Sequence, residues 1–338
     1  MRFYKIYIFI SFAIWSNLML KAQEPLTSND SISFEDPFIR WVNQYPPVNR
    51  NEKEKFKDHF INYLFGKDNQ ATLIKPVAVL ATNTEDYWAL DQESGTVLRI
   101  HDQLGEIPHF RNKSINNLRS LVGICSLPQG KLLLTDSYLN KIFQYDPDQK
   151  ELKILNDSLV LERPTGIAYS PVNQEIWVVE TGAHRVSVLS SDGYLLRRIG
   201  SRGVGPGEFN YPTSIWIDKF GKVFIVDALN FRIQVFSVNG DILSVFGKTG
   251  DGTGCLARPK GIATDSESNI YVADALYNVV QIFDMDGHFL YKFGSQGRDP
   301  GQFWMPAGIY IDENDFIYVA DTYNARVQVF QLTRNKGK

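Results

Sequence analysis

"IYVADTYNARVQVF", residues 317–330, reads as two short strands hinged at a polar turn, and nearly the same words occur twice upstream. Residues 270–283 run "IYVADALYNVVQIF" and residues 223–236 run "VFIVDALNFRIQVF". Each first half closes on an aspartate (Asp227, Asp274 and Asp321), and successive aspartates stand 47 residues apart. A fixed period of that size marks a repeat architecture, in which each unit buries its apolar faces only against its neighbours.

The same landmark continues towards the N-terminus, with Glu180 in "IWVVETGAHRVSVL", Asp136 in "LLLTDSYLNKIFQY" and Asp91 in "YWALDQESGTVLRI". Every copy is preceded by another apolar segment: "PVAVLA" from Pro76, "LVGICS" from Leu121, "PTGIAYS" from Pro164, "PTSIWID" from Pro212, "PKGIATD" from Pro259 and "PAGIYID" from Pro306. The first five copies are followed by one more, clearest in "LLRRIG", "ILSVFG" and "FLYKFG". These runs are short, rich in Val, Ile, Phe and Tyr, and separated by Gly, Asn and Asp clusters such as "SVNGD" and "DMDGH", the signature of strands joined by tight turns. Four strands per repeat and six repeats predict an all-β fold: a six-bladed β-propeller of four-stranded antiparallel blades occupying residues 71–332.

The last copy ends at "RVQVFQL" and has no fourth strand of its own, only a short tail at 333–338. The missing outer strand is assigned to the N-terminal extension, residues 23–70, at "PFIRWVN", residues 37–43. Phe56, Phe60, Tyr63 and Leu64 fall at helical spacing before Gly66, so a short helix is expected over residues 51–65.

The chain opens on "MRFYKIYIFISFAIWSNLMLKAQEP". A cationic start followed by about 15 apolar residues is the pattern of a secretory signal peptide, expected to be removed after Ala22 and to leave no stable membrane span. Without cleavage it would serve as an N-terminal anchor. The expected location is therefore secreted or periplasmic. A net charge of −3 and the absence of a dense basic run exclude nucleic acid as the first-choice partner. Cys125 and Cys255 lie in different repeats, without the neighbouring His or Cys that zinc requires, and are expected as two free thiols.

The combination of "P-x-G-I-x-x-D", "I-Y-V-A-D-x-x-N-x-R-V-Q-V-F" and "G-x-G-P-G-x-F" resembles the NHL-repeat family of six-bladed propellers over roughly residues 72–332. The likeness is strongest at Asp227, Asn230 and Arg232, at Asp274, and at Asp321, Asn324 and Arg326. It weakens where Ser94 and Thr96, then Leu139 and Lys141, take the Asn and Arg positions. Some propellers resembling this one are enzymes. In the lyase that cleaves peptidyl-hydroxyglycine, the metal histidines follow the inner-strand prolines. Here those positions hold Val77, Thr165, Thr213, Lys260 and Ala307. Calcium-dependent hydrolase propellers would need inward acids, for which Glu180 and Asp218 are the two residues to watch, although both suit turns. RNA-binding members rely on a basic face that this chain lacks.

An acid recurring at every strand-turn-strand hinge is expected to accept backbone amides, with an arginine five residues on forking onto the carboxylate. Asp136, Asp227, Asn230, Arg232, Asp274, Asp321, Asn324 and Arg326 are therefore read as structural fasteners rather than catalytic residues. The long loops "GSRGVGPGEFNYP", "GKTGDGTGCLARP" and "GSQGRDPGQFWMP" emerge on the same face as the hinges. Around the channel mouth on that face, Thr165, Thr213, Lys260, Arg258, Tyr138, Tyr277, Trp304 and Tyr323 are the candidate ligand-binding residues, with His184 beside them as a hinge residue. Aromatics with a few cations suit a protein, peptide or glycan. The expected function is an exported, non-enzymatic binding or scaffold module with no cofactor and no metal; the alternative is a metal-dependent lyase or hydrolase of the propeller type.

Overall fold

The computed structural model describes residues 36, 38–48, 72–102, 104–106 and 118–333. The expected signal segment and the expected helix over residues 51–65 lie outside them. Among the described residues, six four-stranded antiparallel sheets account for the chain, and in five of them the strands lie in sequence order. The blades begin on Pro76–Asn83, Leu121–Ser126, Pro164–Ser170, Pro212–Ile217, Pro259–Thr264 and Ile309–Ile311, the innermost strand of each. No helix among the described residues is long and apolar enough to cross a membrane.

Position within a blade follows from what each strand must bury. Second strands such as Ile270–Asp274 and Val223–Asp227 are buried at every residue, because blades press on both of their faces. Their unbroken β-branched and aromatic runs suit that double burial. Outer strands such as Leu195–Ile199 are largely exposed. An apolar cluster fills each of the six blade interfaces, for example Phe224, Val226, Ile262 and Phe283 between blades 4 and 5. Burying one such side chain contributes about 1.5–3 kcal/mol.

The sixth sheet is completed from the far end of the chain. Ile39–Tyr45 pairs antiparallel with Arg326–Leu332, running from Ile39 opposite Leu332 to Tyr45 opposite Val327 with a bulge between Trp41 and Asn43. Ile39 is fully buried among Phe293, Phe303 and Phe330, and the Trp41 indole N–H donates to Gln328 Oε1 at 3.1 Å. The opposite flank of this blade packs on blade 1 through Tyr45, Val79, Tyr87 and Tyr318, so the ring closes.

The third residue of the inner strand explains the "P-x-G-I" motif. A Cβ on Gly261 would lie 2.4 Å from the Ala307 carbonyl oxygen, and one on Gly308 would lie 2.7 Å from Ala78 Cα. Glycine lets blades 5 and 6 bring their inner strands that close to the next blade, whereas blades 1 and 4 carry Ala78 and Ser214 at the same position.

Candidate functional site

The hinge acids set the channel mouth. Asp274 accepts the amide N–H groups of Ala257 at 2.7 Å and Arg258 at 3.0 Å, the two residues before the blade 5 inner strand. Asp91 does the same for Ile74 and Lys75, Asp136 for Arg119 and Ser120, and Asp321 for Trp304. All four acids are fully buried. One carboxylate thus joins the end of the second strand to the start of the first and fixes where residues such as Lys75 and Arg258 enter the cavity wall.

The arginines act differently from the expected fork. Arg232 donates to Asp227 through Nε alone, at 2.7 Å, and turns its terminal nitrogens to the carbonyls of Val204, Gly205 and Glu208 in the glycine-rich loop. Arg326 repeats this arrangement, with Nε on Asp321 and the other nitrogens on Arg298, Asp299 and Gln302 carbonyls and on Gln44 of the closing strand. Asn230 and Asn324 tie the same loops through Gly203 and Gly297. Arg185 is the one that forks, using Nε at 2.8 Å and a terminal nitrogen at 3.1 Å on Glu180. Burial would raise the Glu180 pKa, but bonds from Arg185, Ser187 and the Glu162 amide outweigh it and hold it below its ordinary value. Asp321 goes the other way, since burial outweighs Arg326 and the amide of Trp304 and raises it.

A cavity of about 1220 Å³ follows the axis, lined by the inner strands of all six blades. Val77, Thr165, Thr213, Lys260 and Ala307 all line it, as do Arg258 and Tyr323. Tyr138, Tyr277, Trp304 and His184 lie away from its lining. Tyr138 is 65% exposed beneath the Arg119 guanidinium. The Tyr277 hydroxyl donates to the Gly250 carbonyl, replacing in blade 5 the loop anchor that asparagine supplies in blades 4 and 6. Trp304 lies beside Tyr323, with ring centroids 5.8 Å apart, and under Arg298. His184 is buried and accepts the Tyr211 N–H on Nδ1 at 3.1 Å.

Residues that the sequence pattern did not single out complete the wall. Lys75 and Arg163, each immediately before an inner-strand proline, join Arg258 at the mouth. The pre-proline position was the available signal. Deeper in, Trp216 donates its indole N–H to Thr264 Oγ1 at 2.9 Å and meets Tyr310 edge-to-face at 5.4 Å, forming an aromatic belt across blade 5. Burial first, then the charges of Asp312 and Glu313, push the Tyr310 pKa up to about 12. Cys125 and Cys255 are free, and burial pushes the Cys125 thiol pKa up.

At the opposite end stand Asp218, Asp265 and Asp312, each directly following an inner strand. Asp265 accepts the Tyr271 hydroxyl and Asp312 the Tyr318 hydroxyl. The matching residue in blade 4 is Phe224, so Asp218 Oδ2 is buried with no hydrogen-bond partner. Together with the exposed Glu313, these three aspartates gather four carboxylates at this end, while the positions after the inner-strand prolines hold no imidazole.

Residues 155–245 match a family model described as a 6-bladed beta-propeller, and residues 303–330 match the NHL-repeat model. No curated protein matches the sequence. Among solved structures, virginiamycin B lyase from Staphylococcus aureus aligns with a TM-score of 0.57 at 16% identity, over 78% of this chain and 98% of that one. An auxiliary nutrient binding protein from Bacteroides ovatus aligns with a TM-score of 0.60 at 14% identity, over 78% and 70%. A gluconolactonase from Xanthomonas campestris gives 0.60 at 14% identity, over 78% and 88%. Likeness at these identities shows a shared fold, and one fold hosts binding and catalysis alike.

Proposed function

We propose that this six-bladed β-propeller, which carries an NHL repeat in its last blade, is an exported binding module that holds a protein, peptide or glycan at the loop-rich mouth of its axial cavity and performs no chemistry on it. The carrying observation is the mouth itself: a wide cavity opens where hinges and long loops gather, and its rim offers the cations Lys75, Arg163, Arg258 and Lys260 with Thr165 and Thr213. Convergent polar groups on a rigid scaffold around a largely apolar cavity are what ligand recognition needs. Export rests on the cationic and apolar pattern of residues 1–22 and is checked by N-terminal sequencing of the mature protein.

The test is a glycan array and a peptide-library screen with the mature protein and its Lys260→Met and Trp304→Ala variants. Hits lost in Lys260→Met support the cavity mouth, whereas hits lost only in Trp304→Ala move the site to the outer rim. A metal-dependent lyase or hydrolase is separated by metal analysis of untagged protein and its melting temperature with and without a chelator. Stoichiometric zinc or calcium with a fall in Tm on chelation overturns the non-enzymatic reading.

A further inference from the structure

The two ends of the cavity carry opposite charge. Lys75, Arg163 and Arg258 precede inner strands and Lys260 sits one residue inside, while the lining acids Asp218, Asp265, Asp312 and Glu313 all follow the strands' other ends. The inner strands run in one sense around the axis, so the positive and negative ends lie about 20 Å apart, the length of a six-residue strand. Among the described residues, no carboxylate lines the positive end.

Lys260, at that end, points to a missing anion. The Lys260 ammonium is half-buried and makes no hydrogen bond or ion pair with any described residue; burial, and then the adjacent Arg258 charge, hold its pKa below the usual lysine range. A partly desolvated cation beside another cation is unfavourable until an anion joins them. The Thr213 and Thr322 hydroxyl oxygens do not belong to this vacancy: both are buried, and each is half of the pair that Thr165 and Thr181 complete at 2.7 Å in blade 3, with Ala228 and Ala307 standing at the other half.

We propose that the mouth binds the oxyanion of a small organic acid, a carboxylate or a phosphate, on Lys260 with Arg258, and that the ligand's apolar body runs inward towards Trp216 and Tyr310. An ammonium and a guanidinium supply charge-assisted bonds that a neutral ligand cannot use, and the aromatic belt supplies a flat apolar surface beneath them. This inference rests on the binding-module reading and names the chemistry of its ligand.

The experiment is isothermal titration of the mature protein with benzoate, phenyl phosphate and neutral benzyl alcohol, repeated in Lys260→Met, Arg258→Met and Lys219→Met. Lys219 lies on the negative end and donates to the Ser266 carbonyl, so it controls for a general loss of charge. The expected result is at least tenfold tighter binding of one or both anions than of benzyl alcohol. That preference should fall about tenfold or more in Lys260→Met and severalfold in Arg258→Met, and should persist in Lys219→Met. The better of the two anions identifies the head group. Equal binding of benzyl alcohol and the anions, or unchanged anion binding in a folded Lys260→Met, overturns the oxyanion inference while leaving the binding module standing. No binding of any probe, alongside glycan or peptide hits from the screen, likewise overturns the oxyanion inference alone; failure of both experiments removes the binding reading as well.

Discussion

Arg232 shows how much structure one side chain holds. Its Nε meets a fully buried Asp227 while its terminal nitrogens gather three carbonyls of a loop that is 24 to 28 residues away in sequence. Arg232→Ala leaves a buried carboxylate uncompensated and frees the loop, so urea denaturation is expected to show a loss of about 3 kcal/mol. Lysine at that position keeps the charge but lacks the fork, and should recover less than half of the loss. Blade 5 has Val279 where blades 3, 4 and 6 have arginine, and the Tyr277 hydroxyl anchors its loop instead, so Tyr277→Phe is expected to lose only about 1 kcal/mol. Glu180 provides a pH test. Its folded pKa lies below the ordinary value of 4.5, so its contribution is complete above that value and is lost as pH falls through the folded pKa. Glu180→Gln should therefore be less stable than the parent at pH 7 by about 2–3 kcal/mol, with the gap narrowing as pH falls below the ordinary glutamate value in acid unfolding curves.

At the level of elements, the closing strand carries the ring. Ile39–Tyr45 caps an otherwise open edge of blade 6 and places Ile39 in the interface with blade 5. An open edge of that length exposes unpaired backbone groups to other chains. Ile39→Asp buries a charge among Phe293, Phe303 and Phe330, and is expected to destabilise by about 4 kcal/mol and promote aggregation on heating, read by light scattering during a thermal melt. Each hinge also ends in a left-handed residue, four positions after its acid: Gly95, Asn140, His184, Phe231, Asn278 and Ala325. Glycine and asparagine tolerate that conformation, but phenylalanine and alanine do not favour it. A sequence pattern built on those residue types finds the first, second and fifth hinges and misses the shared geometry of the rest.

At the scale of the whole molecule, six repeats that began alike have diverged so that the cavity has a positive mouth and a negative base. Lys260 sits where other blades place Val77, Thr165 or Ala307, and its unpaired charge is tolerated rather than needed for folding. Its folded pKa is lowered, so the charge is unfavourable at neutral pH; the penalty starts to shrink as pH passes the folded value and is gone above the ordinary lysine value. Lys260→Met is expected to raise Tm by about 1–3 °C at pH 7, with the gain shrinking at alkaline pH, even as it weakens anion binding. A residue whose loss stabilises the fold but removes binding is one kept for function.

The sequence by itself determined the repeat, the blade count, the four-strand pattern and the segment that closes the ring. Those features depend on local periodicity and on the acid, glycine and proline positions that recur in every copy. It also placed Thr165, Thr213, Lys260 and Arg258 near the axis, because strand alternation carries inward direction from one copy to the next. Only the tertiary structure decided what those residues face. Tyr138, Tyr277 and Trp304 stand outside the cavity lining, Tyr138 beneath Arg119, the Tyr277 hydroxyl on a loop carbonyl and Trp304 beside Arg298 and Tyr323. The orphan oxygens of Thr213, Thr322 and Asp218 depend on residues in other strands or blades, as Phe224 in place of tyrosine shows. Periodicity encodes which way a side chain points, whereas its partners come from chain segments far apart in sequence, and these meet only when the ring closes.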